Sequence, residues 1–284
     1  MIDKPVSVII PTWNSMPEFG MCLKWLKKSI PDNILNEIIV VDRFSNDKTV
    51  EIAQKYGCKL HQSDSILGKS RMEGIQIAKN ELILFIDSDI MLSPRWFEKI
   101  KHFWDEKTGM LCGRTIDNNN KLGRMLVWKM KRELHDKPKL LKKGMRGKTH
   151  NTFIRRELII DCDISNLSAW EDWMLTQSVF EKGYLVKDAP VPCIHLTSHT
   201  HAKFGDYRQE WNVKGMLKTI GIKPYSIGFL MYPLMEGFRS SFHFKDTFYL
   251  KWGLHEFRGG IRGLLNYKTI DFKRIKKNGK KDES

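Results

Sequence analysis

An α/β fold built on a parallel sheet is predicted by three short stretches of this sequence. Val6 to Thr12 (VSVIIPT), Glu37 to Asp42 (EIIVVD) and Leu82 to Asp87 (LILFID) are continuous apolar, β-branched runs. That is the pattern of strands covered on both faces, not of strands with one wet face. Helical spacing of apolar residues between the runs makes strand and helix alternate, and right-handed crossovers then place helices on both sides of the sheet.

The elements follow in order. Phe19, Cys22, Leu23, Leu26 and Ile30 share one helical face, a second helix over about 46–56 offers Val50, Ile52, Ala53 and Tyr56, and a third over 69–79 carries Met72, Ile75 and Ala78. Ser93-Pro94 opens a helix over 95–103, and MLCGRTI (110–116) is a strand. The basic stretch KPKLLKKGMRGKTH (137–150) is expected to be a mobile loop. A helix from near Trp170 to Gly183 and a strand-like YLVKDAPVPCIHL (184–196) close the regular part. From Tyr225 onward aromatic and basic residues interleave with glycines, and the chain ends in a solvated tail, KRIKKNGKKDES. The expected division is a catalytic domain over 1–220 and an amphipathic, basic extension over 221–284.

The composition bounds the partners. With 284 residues, 41% of them hydrophobic, the chain can fill one large core and carry an appendage. Lys and Arg outnumber Asp and Glu by 48 to 33, and the net charge of +15 attracts polyanions: nucleic acid, anionic lipid or phosphorylated small molecules. Five scattered cysteines without a C-x-x-C pair exclude a zinc framework and fit a reducing compartment. The N-terminal apolar run is too short for a secretory leader, and no stretch reaches the roughly 18 apolar residues of a membrane span. A cytoplasmic protein is expected.

In open parallel sheets ligands bind at the carboxyl ends of the strands. Here those ends read Thr12-Trp13-Asn14, Asp42 and Asp87-Ser88-Asp89. Neither a dinucleotide fingerprint nor a phosphate loop follows the first strand. Two carboxylates two residues apart suit one hard cation, Mg²⁺ or Mn²⁺, which completes its shell with water and phosphate oxygens. The same three residues also suit a polar strand-to-helix turn capped by Ser88 or Ser93.

PTWN, VVDRFSNDKT, GKSRMEGIQIAKNELILFIDSD and WEDWML, taken in order over about residues 5–195, resemble the family 2 glycosyltransferases. These are inverting enzymes of the GT-A fold. The resemblance implies a Rossmann-like, mixed but mostly parallel sheet flanked by helices, a nucleotide-diphosphate sugar donor, usually a UDP-sugar, and Mg²⁺ or Mn²⁺ as cofactor. It sets Pro11, Thr12 and Asn14 at the nucleotide edge, Asp42 on the base and Arg71 near ribose and diphosphate. It gives Asp87 and Asp89 the metal, with Ser88 between them on the nucleotide side. Asp172 matches the general base, with Glu171 as its neighbour. Arg43 and Phe44 depart from the acidic or glycine residues expected there, and Ser70 and Met72 depart beside Arg71. Lys69 is either a phosphate contact or a solvated residue at a helix start.

Chemistry supports Asp172 separately. Transfer with inversion needs the acceptor hydroxyl deprotonated on the face opposite the departing nucleotide, and a carboxylate within reach can do this. Glu171 and Asp172 would equally complement a helix dipole as first-turn residues, and the two roles are compatible. Asp161-Cys162-Asp163 repeats the spacing of the metal pair without its upstream strand and helix, so it reads as turn chemistry or an acceptor-side loop. His195, His199 and His201 follow the last strand. His195 is carried as a further metal ligand, against the commoner structural use of a histidine.

Residues 225–268 combine an aromatic, apolar face with Arg239, Lys245, Lys251, Arg258 and Arg262. They are expected to contact an anionic membrane as an interfacial helix. Packing on the domain or on a second copy, as a homo-oligomer, is the alternative, while no nucleic-acid module is recognisable. The expected partners are therefore the sugar donor, a glycan or polyprenyl-linked acceptor, and the inner face of the cell membrane as a peripheral surface. Two other functions stay open at this level: a nucleotidyltransferase of related layout, which would release pyrophosphate, and a non-catalytic basic RNA- or membrane-binding module.

Overall fold

The computed structural model describes residues 1–118, 120–134, 137–196, 204–221 and 225–266. His199, His201 and the basic tail lie outside the described residues. Two compact units emerge: Met1–Asn166 with Glu171–Ser198, and Leu167–Trp170 with His199–Ser284.

The first unit runs β1 (Val6–Thr12), α1 (Glu18–Ser29), β2 (Leu35–Asp42), α2 (Thr49–Lys55), β3 (Lys59–Gln62), α3 (Leu67–Ile77), β4 (Leu82–Ile86) and β5 (Ile90–Met91). It continues through α4 (Trp96–Ile100), β6 (Thr108–Asp117), α5 (Asn120–Leu134), β7 (Lys139–Leu140), β8 (Asn151–Arg155), α6 (Glu171–Glu181) and β9 (Leu185–His195). The three apolar runs become β1, β2 and β4, and every residue of β4 is buried. The sheet order is β3-β2-β1-β4-β8-β6-β9-β5, with β7 beside β9. β3, β2, β1 and β4 are mutually parallel, and β6 runs parallel to β9. β8 is antiparallel between β4 and β6, so the sheet is mixed.

One face of the sheet packs Val8, Ile10, Val40, Leu84 and Ile86 against Phe19, Leu23 and Leu26 of α1 and against α4. Trp96 of α4 stacks on Phe153 of β8 at 5.7 Å. Each such buried apolar side chain contributes about 2 kcal/mol relative to an exposed one. This packing fixes the strand ends. β1 pairs with β4 only as far as Ile9 opposite Phe85, whereas its register with β2 runs on to Thr12 opposite Asp42. Pro11, which has no N–H to donate, falls beyond the β4 register, where a missing donor costs no ladder bond on that side. The two strands part here, opening a crevice where the strand order reverses about β1.

The basic stretch 137–150 departs from expectation, because it is pinned to α6 and is not a loose loop. Gly144 N–H donates to Gln177 Oε1 at 2.8 Å, Gln177 Nε2 donates to Met145 O at 2.9 Å, and Gly147 N–H donates to Thr176 Oγ1 at 3.0 Å. Polar residues on α6 thus satisfy backbone groups that a charge count alone suggests are solvated.

The second unit contains α7 (Phe204–Ile220), α8 (Tyr225–Phe244) and α9 (Phe248–Leu265). The sequence division after residue 220 sets α7 with the catalytic part, whereas in the structure α7 groups with α8 and α9. Glycines on α9 explain it: a Cβ at Gly263 would meet the Glu210 carbonyl oxygen at 2.7 Å, so only a bare backbone allows α7 this close. Two buried carboxylates accompany the contact. His255 Nδ1 lies 3.0 Å from Asp206 Oδ2, and Arg208 Nε donates to Glu256 Oε1 at 2.9 Å. Among the described residues no helix is long and apolar enough to cross a membrane.

Candidate active site

The carboxyl ends of β1, β2 and β4 place the expected residues along one rim. Thr12 Oγ1 donates to Asp42 Oδ1 at 2.9 Å. Ser45 donates to the same carboxylate through its N–H at 2.9 Å and its hydroxyl at 2.5 Å, and Gln62 Nε2 reaches it at 3.3 Å. Asp42 is fully buried, and its oxygens are engaged by protein donors. These bonds join β1, the loop after β2 and β3 at the rim. Asn14, in the left-handed region at φ 47°, donates its N–H to Ser45 Oγ at 2.8 Å and accepts Asn46 N–H at 2.8 Å, which locks the first two loops together. Ser88 Oγ donates to Ser15 Oγ at 3.0 Å and ties the third loop to the first.

Two residues that the motif reading counted only as a departure or a spacer stand at this rim. The Arg43 guanidinium lies 5.2 Å from the Trp13 ring centre, and its Nε donates to Asp64 Oδ1 at 3.0 Å. A flat aromatic face beside a cation offers a stacking surface at the place where the family's acidic residue is absent. Lys69 is half exposed and pairs with Glu73 at 3.7 Å, one turn along α3.

Arg71 is 2% exposed, its Nη2 donates to Asp87 Oδ1 at 2.7 Å, and its Nη1 is hydrogen-bonded to Glu171 Oε1. The guanidinium is a two-ended clamp between β4's exit and the start of α6. Burial pushes Glu171 up from the ordinary carboxylate range while the Arg71 charge pulls it down. Glu171 therefore stands inside the fold as an anchor. Its neighbour Asp172 accepts Arg146 Nε at 2.7 Å and Trp173 N–H at 2.8 Å through Oδ1. Arg146 comes from the basic stretch, and sequence reasoning missed it; its one signal was the alternation of Arg146, Lys148 and His150 ahead of β8.

Asp87 and Asp89 sit at the same edge. The Asp87 side chain is about one-third exposed and Asp89 slightly more, at 33% and 38%. Burial raises Asp87 above the usual carboxylate value, Arg71 opposes this, and the Asp89 charge adds to it. Burial would lower His195, but its bond to Asp89 at 3.2 Å and the charges of both aspartates raise it. Among the described residues no three His, Cys, Asp or Glu side chains gather as a metal cage, so Asp87, Asp89 and His195 are not a preformed three-ligand set. Two partly exposed carboxylates still fit a cation that keeps most of its shell for water and phosphate oxygens. Asp163 of the look-alike triplet accepts Ser165 N–H at 3.0 Å and Ser165 Oγ at 2.7 Å, which is turn chemistry.

The chain is similar to several known proteins. The Staphylococcus aureus protein TarS, a poly(ribitol-phosphate) β-N-acetylglucosaminyltransferase, is 35% identical over 107 residues, which is 35% of this chain and 19% of TarS. EpsH of Bacillus subtilis is 28% identical over 166 residues, 54% of this chain and 48% of EpsH. The chain thus spans less than half the length of these relatives. Among solved structures, a Pyrobaculum calidifontis mannosyltransferase superposes with a TM-score of 0.66 at 14% identity, covering 94% of this chain and 88% of that one. Glucosyl-3-phosphoglycerate synthase of Mycobacterium tuberculosis gives 0.55 at 16% identity over 78% of this chain and 82% of its own. At such identities the likeness establishes the GT-A fold. Residues 7–162, more than half of the sequence, match the family described as glycosyl transferase family 2. The chain belongs to that family.

Proposed function

We propose that this enzyme transfers a sugar, with inversion, from a nucleotide-diphosphate donor, foremost a UDP-sugar, to a hydroxyl of a glycan or lipid-linked acceptor. The observation that carries this reading is the buried Arg71, which bonds Asp87, two residues before Asp89, and Glu171, the neighbour of Asp172. The Arg43–Trp13 rim receives the base, and the Thr12–Asp42–Ser45 network holds that rim in shape. Asp87 and Asp89 would hold Mg²⁺ or Mn²⁺, and His195 positions Asp89. When bound, the cation neutralises charge on the departing diphosphate.

The acceptor oxygen forms its bond to the anomeric carbon as the bond from that carbon to the diphosphate oxygen breaks. Asp172 takes the hydroxyl proton, and the nucleoside diphosphate leaves with the electron pair. Arg146 fixes the rotamer of Asp172, and the Glu171–Arg71 pair fixes the helix turn that carries it. Two comparisons support the donor class: the Pyrobaculum protein was solved with GDP-mannose and Mn²⁺, and TarS with UDP-GlcNAc.

A thermal-shift panel of UDP-GlcNAc, UDP-glucose and GDP-mannose, each with and without Mn²⁺, tests the reading. At least one donor is expected to raise the melting temperature, and to do so more with Mn²⁺ present. Absence of any donor effect under both conditions would overturn it.

A further inference from the structure

We propose that the outer face of α8 rests on an anionic lipid bilayer, with Ile227, Met231, Met235, Phe238 and Phe242 immersed at the headgroup and acyl-chain boundary. These five residues follow one another at steps of four, four, three and four, so they form a single stripe along one side of the helix. They are 70%, 41%, 64%, 68% and 83% exposed, and the stripe is about 22 Å long. Single exposed apolar residues are ordinary on a protein surface, but a continuous row of five on one helix marks a contact.

Packing within the helical unit fixes which side faces out. Pro233, Glu236, Gly237 and Ser240 form the opposite stripe and are buried. A Cβ on Gly253 of α9 would meet the Pro233 carbonyl oxygen at 2.5 Å, and one on Gly237 would meet the Tyr249 carbonyl oxygen at 2.7 Å. The two backbones touch there, so α8 cannot roll to hide its outer stripe.

The charges choose the occupant. Within residues 227–266 the exposed charged side chains are Arg239, Lys245, Lys251 and Arg258, all cations. The acids of the same stretch are drawn inward: Glu236 and Glu256 are buried and Asp246 is half-buried. An ordinary soluble surface mixes both signs. An apolar stripe in a stretch whose exposed charges are all cationic is the arrangement of a helix lying in an anionic interface, and among the described residues no helix is long and apolar enough to span one. A second copy docked stripe to stripe would bring the Arg239 and Lys245 side chains of both chains together, which like charges disfavour. The surface needs no donor or cation, so it stands or falls separately from the transfer chemistry. Its effect is to hold the enzyme where lipid-linked acceptors are concentrated.

Cosedimentation of the full chain with vesicles of phosphatidylcholine alone, or of phosphatidylcholine mixed with phosphatidylglycerol, tests this. The expected result is partition onto the mixed vesicles, weakened by salt, with little onto the neutral ones. Phe238→Glu with Phe242→Glu is expected to lower that partition by roughly tenfold or more without changing the melting temperature, since both side chains are exposed. A Phe238→Trp variant gives a second readout: its emission should shift to the blue on the mixed vesicles. The proposal is overturned by absence of partition, by equal binding to neutral vesicles, by an unchanged double variant, or by an unshifted tryptophan. A dimer in sedimentation that the double variant dissolves, with no vesicle binding, would assign the face to a second copy instead.

Discussion

Arg71 Nη2 stands 2.7 Å from Asp87 Oδ1, and the same guanidinium holds Glu171 on its other side. A side chain 2% exposed thereby joins the end of β4 to the start of α6, and Glu171 lies 100 residues from Arg71 in sequence. Removing the cation would leave Glu171, itself 3% exposed, as a buried charge without its partner. Arg71→Ala is expected to cost about 3–5 kcal/mol in urea unfolding. Arg71→Met combined with Glu171→Leu should recover much of that loss, because the buried Glu171 charge is removed with its partner and only the one-third exposed Asp87 loses its cation. A double variant no more stable than the single one would refute the clamp.

Arg146 Nε lies 2.7 Å from Asp172 Oδ1, and under the proposed mechanism it positions the base. Arg146→Gln should lower kcat by about tenfold to a hundredfold while leaving the donor KM unchanged, since misplacing a reacting group costs rate more than binding. Arg146→Lys should restore part of kcat. Steady-state kinetics with the acceptor varied decides it; a raised donor KM with normal kcat would place Arg146 on the donor.

Phe44 occupies the left-handed region at φ 47° and is 59% exposed. A side chain there pays a steric cost that a glycine avoids, offset partly by glycine's greater freedom in the unfolded chain. Phe44→Gly should raise stability by about 0.5–1 kcal/mol, read as a higher urea midpoint at unchanged slope. A lower midpoint would mean that the Phe44 ring makes a stabilising contact.

His150 is half-buried beside Thr115, and loss of solvation together with the Lys148 charge holds its imidazole well below the usual value. A depressed folded value means that the native state favours the neutral ring. Its contribution to stability is therefore present above the unfolded value of about 6.5 and is lost as pH falls below it. Unfolding free energy measured from pH 7.5 to pH 5 should fall less steeply in His150→Gln than in the parent. Parallel curves would remove His150 as a cause.

The strands flanking the crevice were legible because β1, β2 and β4 are covered on both faces and so are apolar throughout. β8 was not: NTFIR is five residues long, and its burial comes from antiparallel partners β4 and β6, far away in sequence. α5 carries a basic, amphipathic sequence that the strand-and-helix alternation passed over. Motif spacing singled out Asp87, Asp89 and Asp172, because each follows a strand or opens a helix. What each side chain touches depends on tertiary neighbours: Arg71 and Asp42 looked like ligand contacts in sequence, and packing surrounds both with protein partners. Arg146 stayed hidden because its partner Asp172 is 26 residues away across a stretch that charge alone makes look solvated.

The central claim is that the Asp87–Asp89 edge unites a divalent cation with a nucleotide-diphosphate sugar. Isothermal titration calorimetry of UDP-GlcNAc or UDP-glucose into the full chain, with and without Mn²⁺, tests it most directly when repeated on Asp89→Asn. The expected result is Mn²⁺-dependent binding that the substitution weakens by at least about tenfold, with the melting temperature of the free protein preserved. Donor binding that is equally tight without the cation, or unaltered in Asp89→Asn, would contradict the account.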